Sequence, residues 1–249
     1  MKVWSKIAAL TAACMMAAAA ANAAEITVAA SGGPLPDVMG TLVPMFEKAS
    51  GHKVKISFKA QPAISADVKQ GAVDLIVTNT EVVDELAKSG DVDGNAKTLL
   101  MISKVGLAVK AGAPKPDIST PDKLKVALLA AKTVGYSQGA SGQHFLTVVQ
   151  KLGIADAVKA KAVITQGRPV GAAIAAGEAE IGVQQVAELL PVPGIDFVAE
   201  MPGELQKQIP YSAAIPAKAK DAGTARAMVQ FLRSDEVLAV LKRKGMDLP

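Results

Sequence analysis

Three short stretches of this 249-residue chain place small hydroxyl, amide and glycine residues where an apolar run gives way to a helical pattern. They are Ser31-Gly32-Gly33, the Lys59-Ala60-Gln61 loop and Ser141-Gly142-Gln143. Serine hydroxyls and glutamine amides are neutral hydrogen-bond donors. The first turn of a helix adds unpaired backbone N–H groups and a favourable dipole. Such groups can replace the water that an anion loses on entering a cleft, without bringing a counter-charge. Taken singly, each stretch reads first as an ordinary cap or turn. Their shared position is the stronger signal, because open α/β sheets hold ligands at the carboxyl ends of their strands.

Other chemistries lack their residues. His52 and His144 lie far apart without ligand spacing, so no metal site is expected. No Gly-x-Ser-x-Gly elbow, phosphate loop or dinucleotide fingerprint is present, and no cofactor is expected. Ser141 and His144 are the nearest approach to a nucleophile and base, with no orienting acid evident, so a hydrolase is the remote alternative. Sugar and quaternary-amine receptors stack their ligands on Trp or Tyr, and the chain has one Trp and two Tyr. The expectation is a binding protein and not an enzyme.

The start of the chain bears on where it works. Lys2 and Lys6 precede an apolar run over 7–21, and Ala21-Asn22-Ala23 offers small residues at the positions a signal peptidase inspects. Residues 1–24 are therefore expected to be a cleaved signal peptide, with export to the periplasm. Cleavage takes away the only Cys, Cys14, and the only Trp, Trp4. Thiol chemistry and disulfides are then excluded. Loss of Lys2 and Lys6 leaves 25 basic against 23 acidic residues, which implies neither nucleic acid nor a membrane surface as partner. About 225 residues remain, enough for one large domain or two smaller lobes.

Periodicity supplies the elements that must position the three turns. Strands are expected over 26–30, 54–58 and 74–78, alternating with helices over 37–50, 64–69 and 81–88. A long apolar segment over 99–109 leads to a second set: strands at 134–136, 162–164 and 181–184, helices at 142–151 and 170–176. A strand at 209–215 and two tail helices within 222–244, with Ser234-Asp235 as the cap between them, complete the pattern. This is βαβ grammar over mostly parallel sheet. The segments at 99–109 and 209–215 suggest two crossings between lobes, dividing the chain into 25–100 plus 212–249 and 101–211. A single doubly wound domain remains the other arrangement compatible with the pattern.

The motifs resemble those of the periplasmic molybdate-binding proteins, solute receptors of ABC transporters with the type II binding-protein fold. The resemblance rests on Ala29-Ala30-Ser31, Phe46-Glu47-Lys48-Ala49-Ser50-Gly51, Val68-Lys69-Gln70-Gly71 and Val73-Asp74-Leu75-Ile76-Val77-Thr78. Ala140-Ser141-Gly142-Gln143-His144, Gly177-Glu178-Ala179-Glu180-Ile181-Gly182 and Ile209-Pro210-Tyr211-Ser212 continue it, as do Phe231-Leu232-Arg233-Ser234 and Lys244-Gly245-Met246. It implies a two-lobed α/β clamp, each lobe a mostly parallel sheet flanked by helices, joined by two crossing strands. It further implies a monomer that traps a small anion and docks on an inner-membrane permease. A periplasmic ligand sensor for a membrane kinase would look the same. Family carry-over places ligand contacts at Ser31, Gln61, Thr78, Ser141, Gln185 and the backbone of Val170. Two departures shift the expected ligand. The second loop reads Lys59-Ala60-Gln61-Pro62 where the family offers serine, and Gln184-Gln185 stands where the family has a tyrosine. A glutamine amide both donates and accepts, which suits an organic carboxylate at least as well as molybdate. Lys59 and Arg168, each beside a candidate turn, are further candidates to pair with a carboxylate.

Overall fold

The thirteen-residue strand β4 (Thr98–Lys110) belongs to both halves of a ten-stranded mixed sheet. The computed structural model describes residues 23–248. Most of the expected leader, residues 1–22 with Cys14 and Trp4, lies outside the described residues. Through Lys104, β4 pairs antiparallel with β9 (Gln208–Ala214), and from Val105 onward it pairs with β7 (Ile181–Gln185) and β8 (Ile195–Glu200). The chain thus passes from one half to the other inside β4. It returns between β8 and β9, through residues 201–207.

The first half is built on three parallel strands in the order β2 (Lys53–Lys59), β1 (Glu25–Ser31), β3 (Leu75–Asn79), with β9 antiparallel beside β3. Both faces of the central strands are covered, so β1 and β3 read as largely apolar runs. The edge strand β2, with no fully buried residue, alternates apolar and polar side chains. Side chains alternate between faces along a strand. Val28 and Ala30 therefore pack with Leu35, Val38 and Phe46 of α1 (Leu35–Ser50), while Ala29 and Ile76 pack with Ile64 and Val68 of α2 (Gln61–Gln70) and Val83 of α3 (Thr80–Lys88). Gly51 ends α1 with φ 76° and Gly71 ends α2 with φ 66°, the left-handed conformation that glycine adopts without steric cost.

The second half repeats the plan. Parallel strands β6 (Ala162–Thr165), β5 (Val134–Ser137) and β7 lie side by side, with α5 (Ala140–Lys151) on one face and α7 (Val170–Ala175) on the other. The helix α7 sits close to the sheet because β7 carries glycine there. A Cβ at Gly182 would lie 2.5 Å from Ile174 Cδ1 and 2.7 Å from Val170 Cγ1. Five helices and strands were not legible as such in the sequence: α4 (Pro121–Ala130), α6 (Ala155–Lys159), α8 (Val186–Leu189), β8, and the two-residue β10 (Met246–Asp247). Pro121 is the first residue of α4, where its missing N–H costs nothing, and Thr120 Oγ1 accepts from Lys123 N. The sheet therefore spans more chain than the proline-punctuated reading allowed. Ser234 does occupy the cap position of α10 (Asp235–Arg243), yet its hydroxyl makes no cap bond and is buried without a partner.

The tail helices α9 (Ala222–Phe231) and α10 return to the first half, where Ala225, Met228 and Leu241 join the main core. Asp74 ties them there. Its Oδ2 accepts from Thr27 N at 2.9 Å, and its Oδ1 accepts from Lys220 N at 2.8 Å and Asp221 N at 3.1 Å. Asp74→Ala would strand three backbone donors around a side chain that is 6% exposed. We expect a loss of about 3 kcal/mol in unfolding free energy, read as a lower urea midpoint at an unchanged slope.

Candidate ligand-binding site

Six parallel strands end at one cavity of about 580 Å³ between the two halves. The last residues of β1, β2 and β3 are Ser31, Lys59 and Asn79, and those of β5, β6 and β7 are Ser137, Thr165 and Gln185. All six line the cavity. This is the crevice that open α/β sheets form beyond their carboxyl edges.

The helices that follow these strands begin without side-chain caps. The cap positions of α1, α2 and α5 are Pro34, Ala60 and Gly139, none of which makes a side-chain cap bond. By contrast, α4 and α9 start away from the cavity lining and are capped by Thr120 and Asp221. No side chain closes these first turns, but Pro36 and Pro62 have no N–H and Ala63 N donates to Ala60 O. Helices α1 and α2 therefore keep fewer donors for whatever enters, with the positive dipole end turned towards it. Gly33, φ 69°, makes the turn from Ser31 into α1. A Cβ there would lie 3.2 Å from Gln185 Nε2 and from the Tyr211 hydroxyl.

Two hydroxyls stand out. Ser31 Oγ and Thr165 Oγ1 are buried and have no partner within the protein, and they come from opposite halves. A buried hydroxyl left unpaired costs about 1–3 kcal/mol, so two of them at one cavity are a signature of a ligand's place. The cations are less free. Lys59 Nζ donates to Asp67 at 2.6 Å, and Arg168 makes a two-pronged ion pair with Glu178 that raises the guanidinium's pKa and lowers that of the carboxyl.

Of the residues singled out from the sequence, Ser31, Gly32, Lys59, Gln61, Ser141, Arg168, Gln184 and Gln185 are brought to the cavity wall. Gln61 Nε2 donates to Asn79 Oδ1 at 3.0 Å across the mouth of the first half. Four are not brought there. Thr78 is fully buried inside the sheet, because one step along a strand turns a side chain to the opposite face and Asn79 takes the wall position instead. The backbone N–H of Val170 is spent on Gln184 Oε1 at 2.8 Å. Gly142 serves packing: a Cβ there would lie 1.6 Å from Ser137 O, so α5 could not approach β5. Gln143 points its amide back to Gln138 O at 3.4 Å. The Ser141/His144 pair does not form a dyad either, since His144 Nε2 lies 2.7 Å from Leu205 O.

The wall also holds a group that the sequence pattern concealed. Glu188, in the short helix α8 (Val186–Leu189), lines the cavity with its carboxyl held by both glutamines. Gln184 Nε2 donates to Oε1 at 2.7 Å and Gln185 Nε2 to Oε2 at 3.0 Å. Gln185 Oε1 in turn accepts from the Tyr211 hydroxyl at 3.1 Å. Desolvation raises the Glu188 pKa from 4.5 to about 7, outweighing the two amide donors that favour the charged form. Burial likewise pushes the Tyr211 hydroxyl up, keeping it protonated as a donor. Thr165 had a visible signal, since it ends a strand as Ser31 does. Glu188 had none, because a glutamate in a short helical run reads as solvated.

The sequence model of the bacterial extracellular solute-binding protein family matches residues 26–247. The chain belongs to that family. Among curated relatives, an aconitate isomerase of a Pseudomonas species is 35% identical over 241 residues, covering 92% of this chain and 89% of that protein. The molybdate-binding protein ModA of Azotobacter vinelandii is 28% identical over 249 residues, covering 93% of each. Among solved structures, the substrate-binding domain of a putative molybdenum ABC transporter from Clostridium difficile superposes with a TM-score of 0.76 at 17% identity, over 91% of this chain and 99% of that one. That likeness carries the fold: the solute-binding protein is a mixed α/β sheet with flanking helices, as in the type II periplasmic receptors.

The raised pKa of Glu188 makes the stability of this solute-binding protein pH-dependent. The folded state holds the proton more tightly than the unfolded chain, so the benefit is whole below pH 4.5 and is lost as pH rises through about 7. The loss is at most about 3 kcal/mol, because the half-buried carboxyl is partly screened by cavity water. Urea midpoints of the wild type should fall across that window relative to those of Glu188→Gln, whose amide does not titrate.

Proposed function

We propose that the protein is the periplasmic receptor of an ABC importer and traps a small organic anion bearing carboxylates between lobes formed by the two halves of the sheet. The convergence of six strand ends on one cavity, with unpartnered hydroxyls from opposite halves, carries this reading. A ligand bonded to Ser31 on one side and to Thr165 and Ser141 on the other would favour the closed state, the shape that a permease recognises. An organic acid carrying a hydroxyl or a protonated carboxyl is favoured over a bare tetrahedral oxyanion, because it can donate to the cavity's acceptors. The wall presents the Glu188 carboxyl, and the Gln185 amide is already engaged on both sides. Periplasmic location and the permease partner belong to the same proposal.

A thermal-shift panel of oxyanions, dicarboxylates and tricarboxylates tests it. A ligand at a hundred times its dissociation constant should add about 2.7 kcal/mol. Ser31→Ala and Thr165→Ala should each weaken binding about tenfold, roughly the worth of one hydrogen bond to a charged group. Their unliganded melting temperatures should hold or rise, since neither hydroxyl bonds to the protein and its unpaired burial is relieved. A lowered melting temperature with unchanged binding would make these residues structural.

A second reading is favoured by Glu188 together with the aconitate isomerase relative: the cavity also isomerises an unsaturated tricarboxylate. In the ionised minority of the bound state, Glu188 would take a proton from the saturated carbon. The C–H electron pair would form the new double bond, while the old π pair takes a proton from Glu188 at its far end once that carboxyl has exchanged with solvent, with no redox change. Incubation with trans-aconitate in deuterium oxide, followed by proton NMR, should then show the cis isomer and deuterium at the methylene, both lost in Glu188→Gln. Unchanged substrate after prolonged incubation would leave the receptor reading alone.

A further inference from the structure

We infer that Glu188 carries a proton into the cavity together with the bound anion, so that anion and proton occupy the site as a pair. The inference rests on the anion-binding reading above and concerns a residue that lies outside the donor turns. Glu188 belongs to the second half of the sheet but faces the first. A Cβ at Gly33, in the turn between Ser31 and α1, would stand 4.0 Å from Glu188 Cδ. An anion seated on the uncapped start of α1 would therefore meet this carboxyl at close range.

The carboxyl cannot turn aside. Gln184 Oε1 is anchored by Val170 N and Gln185 Oε1 by the Tyr211 hydroxyl. These anchors orient both NH2 groups onto Glu188, one to each carboxylate oxygen. Each oxygen keeps a further lone-pair site, and one of them can hold a proton aimed into the cavity. As a carboxylate, Glu188 would repel the ligand at this short range. As a carboxylic acid it would donate to a ligand oxygen, a short and strong bond when the acceptor is charged.

No neighbouring cation relieves that repulsion. Lys59 is paired with Asp67 and Arg168 with Glu178 on the cavity wall. On β4 and β8, which pack against α8, Lys104 is paired with Glu200 and Asp247. Tyr211, facing from β9, interacts with Glu188 as a second acidic group, and Glu81 acts on Tyr211 in the same sense. Because Glu188 titrates near about 7 before any ligand arrives, an incoming anion raises its proton affinity further and draws a proton from neutral solution. Ligands then select themselves by an oxygen able to accept from a carboxylic acid.

The test is calorimetric titration of the full mature protein with trans-aconitate and with molybdate, across about two pH units above neutrality and in two buffers of different ionisation enthalpy. The wild type should take up about one proton per anion bound, and its dissociation constant should rise about tenfold per pH unit on the alkaline side. Glu188→Gln should show neither proton uptake nor slope, while the ligand's own titration is common to both proteins. Where the variant binds neither probe, proton uptake by the wild type decides alone. Wild-type binding without proton uptake, or a variant with the same slope, overturns the inference and leaves the anion site standing. Failure of the wild type to bind either probe at any pH removes the anion reading itself.

Discussion

A helix that starts at a sheet edge presents N–H groups that nothing in the helix can satisfy, and the architecture is organised around where those groups point. In this chain the starts of α1, α2 and α5 bear proline, alanine and glycine at their cap positions, and all three open on the same cavity. Helices elsewhere, α4 and α9, close their first turns with Thr120 and Asp221. Backbone dipoles are thereby left unspent at the cavity, as they also are at the start of α10, where Ser234 makes no cap bond. Lining hydroxyls without partners point the same way. The fold tolerates them because an occupant can supply the missing bonds, and the core on either side of the sheet is dense enough to carry the deficit.

The charge pattern of the cavity is more particular than that of a neutral-donor anion site. Lys59 and Arg168 reach the wall already paired with acids, so neither adds an uncompensated positive charge. Glu188 adds a proton-binding group, fixed by two amides that are themselves fixed by Val170 N and Tyr211. A buried network of this kind is stiff, since each member is held by the next. Its partners come from β7, α7, α8 and β9, and Tyr211 reaches it from the other half of the sheet. In the proposed clamp, a change in the spacing of the halves would be felt at the carboxyl.

Much of the fold was legible in the sequence, and for a physical reason. Strands covered on both faces must be apolar throughout, and helices laid on them must repeat their apolar residues at helical spacing. Those demands are local, so residues 26–30 and 74–78 declared themselves, the half-exposed strand over 54–58 did so by its alternation, and Gly51 and Gly71 marked helix ends. Half-exposed β8 and the proline-led α4 satisfied no such demand strongly and were passed over. The site was legible where it depended on strand ends: Ser31, Lys59, Gln61, Ser141 and Gln185 all stand on the wall. It was misjudged by one residue at Thr78, because the two faces of a strand differ by a single step and motif matching does not fix which face a residue takes.

Alternation of apolar strands and helices and the small, amide-and-hydroxyl character of the donor turns are properties of the linear chain. They follow from which side chains water rejects and which backbone torsions glycine and proline allow. Three things came only from tertiary structure: the meeting of six strand ends from two halves, the commitment of Lys59 and Arg168 to acidic partners, and the conversion of Glu188 into a group that titrates near about 7. Each depends on distances between residues far apart in the chain. Desolvation and Coulomb energy, which decide a carboxyl's proton affinity, have no local sequence signature.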